Sequence, residues 1–226
     1  MTLPTKRISW LLLILSFGLI ESKVAIAQDQ CSAESKQVVY ESFLKNRATN
    51  QAKAYDDAKR YLSCPTGQVT EAQQKIIDYL KKYANAYEDG MRKGRFNQLL
   101  YEERKLPEAY ALAKEILTKQ PDDLNILVHA GANGYQLVPK NDPSLTAQVL
   151  DYARRALQQL DAGKYLDDWG PLRNRDVAIA YLNFTVGVST IENDPTTALN
   201  HLIKSAQFET PLKKSAYTFA YIAGAY

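Results

Sequence analysis

Two prolines, Pro107 and Pro121, frame the stretch that most restricts how this chain can fold. Between them Ala109, Leu112, Ala113, Ile116 and Leu117 recur at the 3.6-residue period. Pro107 and Glu108 suit a first helical turn, where a missing amide costs nothing and a negative charge faces the positive end of the helix dipole. Pro121 stops that helix, and a second helical pattern, Leu124 to Leu137, begins almost at once. A helix rich in small residues, a proline stop and an immediate next helix is the form a stacked helical repeat takes in sequence, because one such pair cannot bury its own apolar face.

The N-terminus differs in kind. Lys6 and Arg7 precede an apolar run from Ile8 to Ile20, and Ala25-Ile26-Ala27 is a small-residue cleavage site. Residues 1–27 read as a secretory signal peptide cut before Gln28. An uncleaved anchor is the competing reading, but the run falls short of the ~18–20 residues a span requires. Lipid attachment at Cys31 is disfavoured by Gln28-Asp29-Gln30, which lack the small and aliphatic residues of a lipoprotein signal. Removing this segment takes away three basic residues (Lys6, Arg7, Lys23) and one acidic residue (Glu21), so the net charge of +3 falls to +1. No block of Lys and Arg is left to mark a nucleic-acid or anionic-membrane footprint. The chain is expected to be exported, periplasmic or secreted, and to meet the membrane only through the signal.

After the signal, Val38, Val39, Phe43 and Leu44 mark one amphipathic helix over Glu34–Asn46, and Ala54, Tyr55, Ala58, Tyr61 and Leu62 mark another over Gln51–Leu62. The four residues between them predict an antiparallel hairpin. Cys31 precedes the first helix and Cys64 follows the second, so the hairpin brings them together, and export favours a structural disulfide. A redox or metal pair is the weaker reading, since there is no CxxC spacing and no nearby histidine. Thr70-Glu71-Ala72-Gln73 has the form of a capping box that opens a helix with Ile76, Ile77, Leu80, Tyr83, Ala84 and Tyr87 inward. Gly90 is expected to end it in a left-handed residue. A further helix, Met91–Arg104, would turn Phe96, Leu99 and Leu100 inward, with Gly94 weakening it.

Beyond Leu137, Ser144 is expected to cap a helix carrying Val149, Leu150, Ala153, Ala156, Leu157 and Leu160. The irregular connection Asp161–Pro171 holds Tyr165 and Trp169, which either cover a seam between helices or anchor a ligand. Helices over Asn174–Ile191 and Thr196–Phe208 follow, the second opened by Pro195. The last segment, Leu212–Tyr226, carries no charge after Lys214 and is rich in aromatics. A terminal helix of a stack needs a polar outer face, so either the chain continues into another helix or this surface meets a partner or a second copy.

With Pro121 closing a unit, the spacing resembles the tetratricopeptide repeat, a helix-turn-helix family. The resemblance rests on Ala109 and Pro121 in one unit, with Ile116 where the family has a small residue. It continues through Leu127, Ala130, Gly131, Val149 and Ala156 in the next, and Leu182, Gly187 (one place late), Ala198 and Ser205 in a third. Phe219, Ile222, Gly224 and Tyr226 begin a fourth. It covers residues 91–226, repeats expected to be incomplete at the C-terminus, and treats residues 28–90 as a generic helical hairpin region. No unit has the full signature, so other α-solenoids stay open. The resemblance implies an all-α, right-handed α-solenoid of antiparallel helix pairs in which small residues let helix backbones approach. It also implies a concave groove, lined by the first helix of each unit, that binds a peptide or a partner's helix. Carried over by position, the groove residues are Gln98, Tyr101, Asn125, Val128, Tyr135 and Asn183. The family's clamp for a terminal carboxylate is not matched, because those positions hold Gly94, Gln98, His129, Ala180 and Phe184.

Catalytic signals are sparse. The histidines, His129 and His201, fall on helices of different units, and there is no HExxH, phosphate-binding glycine loop or GxSxG turn. The acidic pairs Asp56-Asp57, Glu102-Glu103, Asp122-Asp123 and Asp167-Asp168 are sequence neighbours, which do not face one another on a helix. No cofactor or metal is expected. The reading is an exported, non-enzymatic scaffold for a protein or peptide partner. The alternatives are an N-terminal module of a larger enzyme or carrier, and a small-ligand binder using the same groove.

Overall fold

A computed structural model describes residues 31–65, 67, 69–138 and 142–225, and among these every regular element is helical. The signal-peptide reading of residues 1–27, and Tyr226 of the fourth repeat unit, lie outside the described residues. The chain divides into two compact units at Gly90–Met91.

In the first unit, α1 (Ala33–Asn46) and α2 (Gln51–Leu62) form the hairpin expected from their spacing. Each starts on a polar side chain that satisfies a free amide: the Ser32 hydroxyl accepts from the Ser35 N–H at 3.1 Å, and the Asn50 amide oxygen from the Lys53 N–H at 3.1 Å. The hairpin ends are joined by the Cys31–Cys64 disulfide, whose Cα atoms are 5.4 Å apart. Phe43 is fully buried among Ala54, Ala58 and Leu80, with the ring of Tyr83 edge-on at 4.9 Å. Leu80 and Tyr83 come from α3 (Glu71–Asn97). Its start is the capping box: the Thr70 N–H donates to the Gln73 side-chain oxygen at 2.9 Å, and the Gln73 N–H to the Thr70 hydroxyl at 3.3 Å. Further along, Tyr55 stacks on Tyr87 at 4.7 Å, and Glu88 accepts from the Tyr55 hydroxyl and the Lys59 ammonium.

The break expected at Gly90 does not occur. α3 runs through Gly90 and Gly94, and neither glycine has a positive φ. Two helical glycines cost about 1 kcal/mol each relative to alanine. That cost is offset by contacts on either side, Tyr87 and Glu88 before the glycines and the Lys93–Asp123 ion pair after them. The helix widens only at Gln98–Glu102, a π-helical turn that ends with Arg104 in the left-handed region, φ 53°.

In the second unit, α4 (Leu106–Lys119) has Pro107 in its first turn and buries Ala109, Ala113, Ile116 and Leu117. It also buries Tyr110 completely, a position its polar handle had hidden; the phenol donates to the Ala130 carbonyl. α5 (Leu124–Asn133) starts on Asp123 and gives way to a 3-10 turn at Gly134–Gln136. α6 (Pro143–Asp161) is capped by Asp142 rather than Ser144, because Pro143 already occupies the first helical position and Asp142 reaches the amides of Ser144 and Leu145. α7 (Arg175–Thr190), α8 (Pro195–Ala206) and α9 (Ala216–Ala225) complete the chain. α5 packs against α4, α6 and α7; α7 packs against α6 and α8; α8 packs against α9. Close approaches occur at glycines. A Cβ on Gly131 would lie 2.8 Å from the Ala153 Cα, and one on Gly187 would lie 2.6 Å from Leu202 Cγ.

Candidate functional site

The six residues expected on a groove are not all at a surface. Val128 is fully buried and Asn183 is 4% exposed, so neither is available to a partner. The reason lies in the connection between α6 and α7. Leu166, Trp169 and Leu172 return into the same core as α5, and a Cβ on Gly170 would lie 3.8 Å from the His129 ring. α5 is thereby buried from Ile126 to Ala132, and only Asn125 and Asn133, on its polar stripe, stay half-buried. Asn183 turns inward because its amide has internal partners: it donates to the Ile179 carbonyl at 2.9 Å and its oxygen meets His201 Nδ1 at 2.8 Å. Of the two aromatics in the connection, Trp169 covers the seam, while Tyr165 stands out at 66% exposure, edge-on to it at 5.3 Å.

Tyr101 and Tyr135, in contrast, meet in one cleft of ≈ 340 Å³, which they line with Tyr181, Arg173, Glu209 and Pro211. Gln98 and Asn125 lie outside it. Tyr101 sits in the π-helical turn, where the wider winding buries Leu99 and Leu100 and leaves the next side chain half-buried. Its hydroxyl lies 2.7 Å from His129 Nδ1 and accepts from the Asn133 amide at 3.0 Å. Burial lowers the pKa of His129 to about 4, against the opposing pull of Asp168, and burial also raises that of Tyr101. At neutral pH the phenol is therefore protonated and the imidazole neutral, so the hydroxyl donates to Nδ1 and the proton of the ring sits on Nε2.

Tyr135 is held from below. Its backbone N–H donates to the Thr185 hydroxyl at 3.2 Å, its ring meets Phe184 at 5.4 Å and Tyr181 at 5.8 Å, and the preceding Gly134 lets the turn approach Val149 and Thr185. Burial raises the pKa of Tyr135, with the positive charge of Arg104 acting the other way; burial also raises that of Tyr181. Arg173 is held at φ 70° in a three-residue turn closed by the Asn174 N–H on the Leu172 carbonyl at 2.9 Å. Glu209 is neutralised by an ion pair with Lys213. The cleft thus offers protonated phenols, flat ring faces and a guanidinium.

In the sequence Tyr181 shows only the spacing of an inward residue of α7, and Arg173 carries no periodic signal, because a residue just before a helix cap has no face. A larger hollow, ≈ 770 Å³, lies between α6, α7 and α9 and includes Val138, Val188 and Tyr221. None of the expected groove residues lines it. No group of three or more His, Cys, Asp or Glu is positioned to hold a metal among the described residues, and no described helix is long and apolar enough to cross a membrane. No protein-family model matches the chain, and neither a curated protein nor a solved structure is significantly similar to it.

Proposed function

We propose that this chain is an exported, non-enzymatic helical-repeat scaffold whose second unit binds a protein or peptide partner through the cleft of Tyr101, Tyr135 and Tyr181. The observation that carries the reading is the convergence of two expected groove residues with a third tyrosine around one open cleft on a buried helical framework. The packing order supports a tetratricopeptide-like solenoid: α5 touches both α6 and α7, α7 touches both α6 and α8, and the glycines stand where backbones pass closest. The disulfide is consistent with an oxidising, exported compartment. Both histidines are bonded to a phenol or an amide rather than to a nucleophile or a carboxylate, which favours recognition over catalysis.

Photocrosslinking tests the reading. With benzoylphenylalanine in place of Tyr135 or Tyr181, cells should yield a discrete protein or peptide adduct, and with the same group in place of exposed Ile203 on α8 they should not. Equal labelling at Ile203, or none at the two tyrosine positions, would remove the cleft from the proposal.

A further inference from the structure

The cleft is uneven in charge. Arg173 lines it with an exposed side chain that forms no hydrogen bond or ion pair with the described residues, and the carboxylate among the lining residues, Glu209, is already matched by Lys213. Arg104 does not line the cleft, but its positive charge acts on Tyr135. These arginines are also the two non-glycine residues with positive φ among the described residues, at 53° and 70°. A left-handed backbone favours glycine, so Arg173, which lines the cleft, is held against a local conformational cost, a pattern typical of binding sites. The interior supplies no competing anion, since its tyrosines are protonated.

We propose that the cleft takes an acidic peptide segment: an Asp or Glu side chain seated on the guanidinium of Arg173, and an adjacent apolar side chain lying on the rings of Tyr135 and Tyr181. The inference rests on reading the cleft as the partner site. Three features fix the chemistry. A guanidinium fork matches a carboxylate with two parallel hydrogen bonds. Rigid tyrosine faces give an apolar side chain large contact at small entropic cost. A volume near the low end of ligand pockets, ~300–1,000 Å³, suits a short extended segment rather than a folded domain. Single-stranded nucleic acid shares a taste for arginine and stacked aromatics, but a net charge of +1 after removal of residues 1–27 and the lack of a basic tract disfavour it.

The test uses the immobilised protein at low salt, with a random-sequence octapeptide library and an oligothymidylate as probes. Retained peptides should be enriched in Asp or Glu beside an apolar residue. A selected acidic peptide should bind Arg173→Gln about tenfold more weakly, bind Arg104→Gln more weakly, and weaken with salt. Arg173→Gly, which relaxes the backbone, should lose the same affinity while unfolding at no lower temperature, so that lost binding is not lost folding. Retention without acidic enrichment, binding unchanged in both glutamine variants, or capture of the oligothymidylate in preference to peptides overturns the inference. Tyr135→Ala separates the two readings. Neutral peptides retained by the wild type and lost in Tyr135→Ala leave the cleft in place and remove only the arginines, whereas retention indifferent to Tyr135→Ala removes the cleft itself.

Discussion

The hydroxyl of Tyr101 reaches 2.7 Å to Nδ1 of His129, coupling the rim of the cleft to a histidine that is 2% exposed. Protonating His129 would turn the acceptor of that bond into a donor inside an apolar core. Its pKa accordingly lies at about 4 in the folded chain, against 6.5 for an unperturbed histidine. The unfolded chain therefore binds more protons between those values, and the associated stability is complete above about pH 6.5 and lost as the pH falls through about 4. The full difference is on the order of 3 kcal/mol. Denaturant unfolding at pH 7, 5.5 and 4.5 should show a steeper loss for the wild type than for His129→Gln; parallel curves would contradict this account.

Gly131 and Gly94 should respond in opposite directions to the same substitution. A methyl group on Gly131 meets backbone atoms of Ala153 at 2.8 and 3.0 Å as well as Leu182 at 2.7 Å, so α5 and α6 must separate. Gly131→Ala is expected to destabilise by about 1–3 kcal/mol. Gly94 is helical with nothing within 4 Å, and Gly94→Ala should stabilise by ~0.5–1 kcal/mol. Thermal unfolding of the two variants decides it; a tolerated alanine at 131 would mean the helices are not in backbone contact there.

Cys31 and Cys64 close a loop across 33 positions. The chain-entropy estimate for such a loop is about 3–4 kcal/mol. Replacing both by serine should lower stability by about that amount, and reductant should produce a similar shift in the wild type and none in the variant. Mass spectrometry of the unreduced protein should find the two cysteines linked; two alkylatable thiols would refute the pairing.

Arg173→Gly offers a case where stability and binding part company. Relief of a backbone conformation that costs on the order of 1–3 kcal/mol, less the extra freedom glycine gives the unfolded chain, should leave a gain of about 1 kcal/mol. A calorimetric Tm above the wild-type value is the expected outcome. A lower Tm would show that the arginine side chain makes a stabilising contact that outweighs the strain.

What could be read from the sequence was whatever depends on neighbours along the chain. The period of Ala109, Ala113, Ile116 and Leu117, the prolines that bound α4, the capping box of Thr70 and Gln73 and the hairpin that aligns Cys31 with Cys64 all act over a few residues or one short turn. Small residues at 131 and 187 signalled close helix approach for the same reason, since the absence of a side chain is visible in the residue itself. Tertiary structure decided the rest. Whether Gly90 ends a helix depended on contacts at Tyr87 and Lys93, and whether Val128 faces a groove depended on where the segment around Trp169 returns. The identity of the cleft, with Arg173 and Tyr181 joining Tyr101 and Tyr135, required residues from α7 and its preceding turn to meet the π-helical turn and the 3-10 turn after α5. Local propensity is settled by bonds of short reach, whereas exposure is a property of what else arrives at the same place, and no pattern along a helix records that.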